Sequence, residues 1–440
     1  MKGLRTSRDG PLGLDGVVVD RVQLDDDRTR TVHVLTRPDW VGVCPLWGRR
    51  SSRPKGWVCT RPRDIKVSPD RPQIVWRKRK WLCTNVCCER RYFTESTPDV
   101  PPRARVTVGA KAEMALAVLD DDRSVKSVAA AYDTTWNVSH EALKATADPV
   151  LAAEPDEVAV LGIDETRRGK AKWETCPDTG RRQWVDRWDT GLVDITGTGG
   201  LLVEVNGRAA QPVIEWLGPR HEQWKAGIKF VAIDMPTTYA RAAQAALPHA
   251  QLIVDRFHLV KKANDMLDAV PRRVTAAHRG RRGRRGDSEW INRRGCYVPL
   301  NGSPTNSAHQ LFGKLTSADP NGDIAATWIA KELLRYVLAC NARGGLRYEI
   351  TPALYTFCAA CSVPELRQLA QTISTWQEPM ILAIQTGLSN ARSEGFNRIV
   401  KHIGRIAFGF RTRENQRRRV RWACTRQSRR ARSRTRLRPC

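Results

Sequence analysis

Between residues about 155 and 258 the hydrophobic pattern changes in an order that few folds accommodate. VAVLGID is a short unbroken apolar run, as a strand buried on both faces shows. RQWVDRWDTGLVDIT and GLLVEVNG read as two more strands, joined across Gly197, Gly199 and Gly200. AAQPVIEWL is then helical, KFVAIDM a strand, TTYARAAQAAL a helix and AQLIVDRF a strand. The sum is β-β-β-α-β-α-β, a meander followed by parallel βα units.

That order is the RNase H-like one, in which the first and fourth strands lie side by side. Their ends carry Asp164 and Asp234. A third carboxylate, Glu394, lies far downstream in SNARSEGFNRIVKHI, a helix-like stretch. Strand-end carboxylates joined by one on a late helix make a site for two divalent metals. Hard cations take oxygen ligands, and a metal pair about 4 Å apart clamps the attacking and leaving oxygens of phosphoryl transfer. Ligands of such a pair must converge, so the three carboxylates are expected within about 8 Å of one another. Taken alone, each Asp also has a plainer reading, as a cap or turn after a strand. Glu165 beside Asp164 reads as a solvated neighbour on the opposite strand face.

Charge narrows the partner. Lys and Arg number 74 against 46 Asp and Glu, a formal net charge of +28. Such an excess favours a polyanion, nucleic acid first and an acidic membrane surface second. No run of 18 apolar residues exists, so nothing is expected to span a membrane. The start MKGLRTSRDGPLGLDG lacks the apolar core of a signal peptide. A cytoplasmic setting follows, in which the 12 cysteines stay reduced and some are free to hold metal.

The chain is expected to be multidomain, α+β with an α/β core. Residues 1–105 are rich in Cys, Trp and Arg, with β-type runs VVVDRVQL, RTVHVLT and PQIVWRKRKWLC, and end in the Pro-rich STPDVPPRARV. Residues 106–152 read as helices broken at Asp133-Thr134, which fits a helix-turn-helix but also any pair of antiparallel helices. The core's first part is 153–260. Residues 261–385 lack strand patterns and read as a helical insertion, with a basic loop around Arg279–Arg285. The Glu394 helix closes the core over 386–412. Residues 413–440 are an arginine-rich tail, expected to be disordered or helical only on DNA.

GIDETRRGK, AIDMPTTY, VDRFHLVKKAN, RGRRGD and SNARSEGFNRIVKHIGRIAFGFR resemble bacterial insertion-sequence DDE transposases of the ISL-three family. The resemblance runs from about residue 40 to 430. It implies a zinc-finger-like N-terminus, a helix-turn-helix and an RNase H-like core with a helical insertion. It also implies that Asp164, Asp234 and Glu394 are catalytic and hold two Mg²⁺ or Mn²⁺. Asp255 and His258 resemble a D-x-x-H signature of several transposase superfamilies; from chemistry alone they read as a helix cap and a packed ring, and with the resemblance as a contact to DNA or to the metal ligands. Spacings of four and three place Asn390, Glu394, Asn397 and Lys401 on one helix face, suited to a metal site beside phosphate. Arg392 shares this segment, and Arg405 and Arg411 follow it as candidates for DNA backbone contact or a solvated basic face.

The family's finger begins with a C-P-x-C knuckle. Here that knuckle reads Cys44-Pro45-Leu46-Trp47, with Trp47 where the second cysteine is expected, and the second pair matches Cys83 and Cys88. A structural zinc usually takes four Cys or His ligands. Three remain, with Cys87 and Cys59 as poor substitutes, so zinc stays open beside packing by Trp40, Trp47, Trp57, Trp76 and Trp81.

The function expected is that of a transposase that binds terminal inverted repeats and target DNA, cleaves and transfers strands, and works as a homo-oligomer on DNA in the nucleoid. Two rivals remain: a catalytically silent repressor derived from a transposase, and an RNase H-like nuclease that does not transpose.

Overall fold

The computed structural model describes residues 13–26, 29–65, 72–176, 178–291, 321–339 and 347–426, with six residues between 310 and 319, and residue 429. The chain divides into two compact units, Met1–Ala153 with Ile403–Ala423, and Glu154–His402 with Cys424–Cys440.

In the first unit the β-type runs become strands: β1 (Val17–Leu24), β2 (Arg30–Thr36), β3 (Gly42–Val43), β4 (Arg50–Ser51), β5 (Pro54–Thr60), β6 (Gln73–Leu82) and β7 (Tyr92–Thr94). The main sheet runs β1-β2-β6-β5, with β7 on β6 and only the β2–β6 pair parallel. Alternation along β2 and β6 buries Val32, Val34, Ile74 and Trp76, and the Trp76 indole N–H donates to Thr36 Oγ1 at 3.0 Å.

Three helices follow, Val108–Leu119, Val125–Ala131 and Trp136–Leu151. Each starts on a hydroxyl cap: Thr107, Ser124 and Thr135 accept from the backbone N–H three residues on. The turn between the second and third places Asp133 at φ +47°, a conformation Asp tolerates.

A fourth helix, Arg413–Cys424, belongs to this unit as far as Ala423. The expectation of a tail that is disordered, or helical only on DNA, is corrected over Arg413–Cys424. Trp422 is buried in the core of the three helices and its indole donates to Asp120 at 3.0 Å. Arg418 is buried between Asp148 and Glu414, and Arg419 donates to the carbonyl of Val118. The arginines that look solvated in sequence are tied down by acceptors about 270 to 300 positions away, which no local pattern shows. Residues 430–440 lie outside the described residues.

In the second unit the sheet order is β12-β11-β8-β13-β14, from β8 (Val160–Arg167), β11 (Trp188–Asp194), β12 (Leu201–Asn206), β13 (Phe230–Ile233) and β14 (Gln251–Val254). The first three form an antiparallel meander; β13 and β14 are parallel to β8. The central strand β8 is buried along its first five residues, as its unbroken apolar run requires. One face packs on helices Gln211–Leu217, Thr237–Ala246 and Arg256–Arg279. The other takes Ala383 and Leu382 of helix Gln377–Thr386 against Ala232 and Ile253.

The meander differs from the sequence reading in one respect. RQWVDRWDTGLVDIT is two strands, and its first part, β10 (Arg182–Val185), pairs with β9 (Lys172–Thr175) in a separate hairpin between β8 and β11.

Beyond β14 the described residues of 261–385 contain no strand; helices occupy Asp323–Ala339, Arg347–Ala360, Pro364–Thr375 and Gln377–Thr386. Arg273, on helix Arg256–Arg279, joins it to two of these, pairing with Asp323 at 3.0 Å and Glu365 at 2.8 Å. The basic loop is only partly free: Arg282, Arg284 and Arg285 are exposed, while Arg279 pairs with buried Glu289 and Arg281 with buried Asp287. Its continuation past 291 lies outside the described residues.

Candidate active site

Asp164 lies in β8, and Asp234 is the first residue past β13. The two strands are parallel neighbours with Ile163 opposite Ile233, so the aspartates occupy the next step of one register. Parallel neighbours lie about 4.8 Å apart and residues in register share a face, which puts both carboxylates at one edge.

The segment of Glu394 seats itself on both. Asn390, just before helix Ala391–Ile406, donates from Nδ2 to the carbonyl of Ile163 at 3.2 Å and to Asp234 Oδ1 at 3.3 Å. Asn397 donates to Asp164 Oδ2 at 2.6 Å and accepts from the Thr166 hydroxyl. Arg392 donates to the carbonyls of Ile195 and Gly197, fixing the helix start to the loop after β11. A single small residue allows this approach. A Cβ on Gly162 would stand 2.5 Å from Ser393 Oγ, 2.8 Å from Asn390 Oδ1 and 2.5 Å from the Ile195 side chain. Gly inside a strand pattern is the sequence sign of such a close approach, and it went unused in the sequence reading.

Asp255 and His258 complete the cluster. Asp255 caps helix Arg256–Arg279 by accepting from Phe257 N at 2.9 Å. His258 Nε2 lies 3.0 Å from Asp234 Oδ2. Donor atoms of Asp255, His258 and Glu394 all lie within 4.8 Å of one another. Burial disfavours the His258 cation, but the bond and charge of Asp234, with Asp255 and Glu394 beside it, raise its pKa overall. Its Nδ1 is buried without a hydrogen-bond partner.

The Asp164 carboxyl is pushed up to about 7, first by burial and then by the charge of Asp234. Acidic groups crowded this way suit a divalent cation, whose charge relieves their repulsion and whose preference is for oxygen. Of the remaining candidates, Lys401, Arg405 and Arg411 are exposed, and Glu165 is half-buried rather than solvated.

The shift of Asp164 has a sign that can be measured. Its folded pKa is raised, so the stability from protonation is complete below the unfolded value near 4 and is lost as pH climbs through 7. Asp164→Asn mimics the protonated acid. In chelator its melting temperature should match wild type near pH 4 and exceed it by a few degrees at pH 8, about 1–3 kcal/mol. A difference that is flat across this range would refute the assignment.

In the first unit, Cys44, Cys83 and Cys88 also meet, with sulfurs within 4.8 Å and the Cys44–Cys88 pair at 3.8 Å. Burial raises the Cys44 pKa, but the N–H groups of Leu46 and Trp47 together with hydrogen bonds to Cys83 and Cys88 bring the net shift downward, towards a thiolate. Trp47 is exposed, and Cys59 and Cys87 are exposed outside the trio.

Residues 161–420, more than half of the chain, match the family model described as “Transposase”, that of ISL3-type DDE transposases. These are enzymes that cut and join DNA, and a DDE family implies a divalent metal. The chain belongs to the ISL3 family of transposases. It is similar to the transposase for insertion sequence element IS1001 of Bordetella parapertussis, at 24% identity over 412 residues covering 91% of this chain and 94% of that one. It is also similar to the transposase for insertion sequence element IS1557 of Mycobacterium tuberculosis (strain CDC 1551 / Oshkosh), at 24% over 229 residues covering 45% of this chain and 51% of that one. No helix among the described residues is long and apolar enough to cross a membrane.

Proposed function

We propose that this chain is the transposase of an insertion sequence, cleaving and transferring DNA strands at the ends of its element with an RNase H-like core. One observation carries the reading: the Glu394 segment is seated across both aspartates, with Asn390 on Asp234 and Asn397 on Asp164. Asp164, Asp234 and Glu394 are the ligands proposed for two Mg²⁺ or Mn²⁺. Bound there, the metals would supply Lewis-acid stabilisation of the attacking and leaving oxygens.

The protein's own residues then have separate tasks. Asn397 and Asn390 orient the carboxylates by holding one oxygen of each. His258 holds the second oxygen of Asp234, and its Nδ1 is left without a hydrogen-bond partner in the structure. Gly162 lets the helix come close enough for all of this. Asp255 acts chiefly by starting the helix that carries His258.

End recognition is assigned to the first unit, with helix Trp136–Leu151 as the major-groove reader of a helix-turn-helix. Sequence is read from base edges, whereas a phosphate-directed core reads backbone. Trp422 belongs to the core of this unit, so a fragment ending at 152 would lack part of it, and end binding is best measured on the full chain. The trio Cys44, Cys83 and Cys88 is the proposed zinc site of a zinc-finger-like module, its fourth position filled by water or a further ligand. Zinc near one per chain, lost in Cys44→Ser, is expected by metal analysis; a metal-free, fully folded wild type would remove that part.

The test is strand cleavage by the purified full chain on DNA carrying the element's ends. Cleavage should require Mg²⁺ or Mn²⁺ and stop with chelator. End binding without cleavage under any divalent metal would favour the repressor; cleavage without strand joining would favour the nuclease. Assembly as a homo-oligomer on paired ends is the arrangement expected.

A further inference from the structure

The hairpin of β9 and β10 is a part of the second unit that the proposed chemistry leaves unused. Lys172–Thr175 pairs with Arg182–Val185, and Trp173 stands directly opposite Trp184. The two indoles meet edge to face at 5.7 Å, yet are 55% and 59% exposed. A cross-strand Trp pair does stabilise a hairpin. That alone does not call for two large aromatic faces left open to water on a cationic protein.

The surroundings say what could cover them. Residues 168–187 hold six cationic side chains, Arg168, Lys170, Lys172, Arg181, Arg182 and Arg187, against three acidic ones. Lys170, Lys172, Arg181 and Arg182 are exposed, and the Arg182 guanidinium lies 5.9 Å from the Trp173 ring. At the foot of the hairpin Arg208 stacks over Trp188 at 4.5 Å. Exposed aromatic faces among cations fit stacked bases of a single strand, whose phosphates meet the charge while each base offers a π-face. Duplex bases are already stacked on each other and cannot use these rings without unpairing.

The hairpin also has the right place. It continues the β8–β11 ribbon: Arg168 N donates to Arg187 O at 2.8 Å, just past the Arg167–Trp188 pair. Gly191 is the register partner of Asp164, and Trp184 precedes it by 191 − 184 = 7 residues. Seven residues span at most about 25 Å. Unpaired nucleotides beside a scissile phosphate at Asp164 therefore lie within reach.

We propose that the Trp173–Trp184 hairpin is a stacking platform for unpaired nucleotides flanking the site of strand cleavage. This rests on the reading of the chain as acting on DNA, but its test needs no cleavage. The full chain is titrated, in chelator, with a blunt duplex and with the same duplex carrying a short single-stranded thymidine arm that includes one 2-aminopurine. Wild type should prefer the armed duplex and change the 2-aminopurine fluorescence. The double variant Trp173→Ala/Trp184→Ala should lose about tenfold or more for the armed duplex, with blunt-duplex affinity within about threefold, since each stacked base contributes about 1–3 kcal/mol. Trp173→Phe/Trp184→Phe, which keeps flat rings, should recover most of the preference. No preference in wild type, an equal loss on both probes, or full affinity in the double Ala variant would overturn the proposal. So would a change confined to oligomeric state in light scattering, which would make the pair a contact between copies of this chain. Because no cleavage is scored, failure here leaves the strand-cleavage test standing, and the reverse also holds.

Discussion

Asp234→Asn should abolish strand cleavage, by about 10³-fold or more, while leaving end binding within a few-fold of wild type. The magnitude follows from what is removed, a charge that would hold a metal where negative charge builds up in the transition state. The geometry makes the variant a clean probe. Asn keeps the volume of Asp, retains an oxygen for Asn390 Nδ2, and leaves Asp164 with its own partner, Asn397. Its side effects fall on His258, which loses a charged partner at 3.0 Å, and on Asp164, which is relieved of a neighbouring negative charge. His258→Ala is therefore the control: it removes that contact from the other side and should cost less than Asp234→Asn. Cleavage and gel-shift assays on one DNA substrate read both quantities. Cleavage by Asp234→Asn within tenfold of wild type would end the metal-ligand assignment. Equal losses in the two variants would make the His258 contact, rather than the metal, the reason for the defect.

Gly162→Ala should cost about 10²-fold in cleavage rate, less than Asp234→Asn, although Gly162 offers no chemistry. Its added methyl would fall 2.5 Å from Ser393 Oγ and 2.8 Å from Asn390 Oδ1, both at the start of the Glu394 helix. Asn390 and Ser393 are buried, at 0% and 1% exposure, so the seat has little room to give. Overpacking of this kind costs about 1–3 kcal/mol. The larger consequence is positional. If the helix backs away by about 1 Å, Asn390 and Asn397 no longer hold the two aspartates, and a displacement of that size costs about 10²-fold in rate. Melting temperature and cleavage rate, measured together, separate the two effects. A folded Gly162→Ala variant with cleavage within threefold of wild type would show that this close approach does not matter to the chemistry.

The order of hydrophobic runs from 155 to 258 was enough to place β8 beside β13, because strand period, helix period and the handedness of crossovers are local rules whose combination leaves one economical sheet. The caps Thr107, Ser124 and Thr135 likewise announce their helices, since a cap acts within three residues of itself. The apolar runs before Asp164 and Asp234 are local signals too, and Asp234 does follow its strand, whereas β8 runs on past Asp164 to Arg167 because its polar half is paired with β11. The hairpin of Trp173 and Trp184 was less legible, because RQWVDRWDTGLVDIT carries strand-like residues throughout and nothing local marks the break near Asp186.

What joins these pieces was decided by tertiary structure. His258 reaches Asp234, Asn397 reaches Asp164 across 233 positions, and Gly162 admits the helix that carries Asn397. Arg418 and Trp422, in a stretch that composition alone makes a solvated tail, are buried on Asp148 and Asp120. The reason is common to all of them. A sequence pattern reports which face of an element is apolar, whereas a polar or charged side chain declares its position only through the partner it meets, and those partners come from distant segments that folding alone brings together.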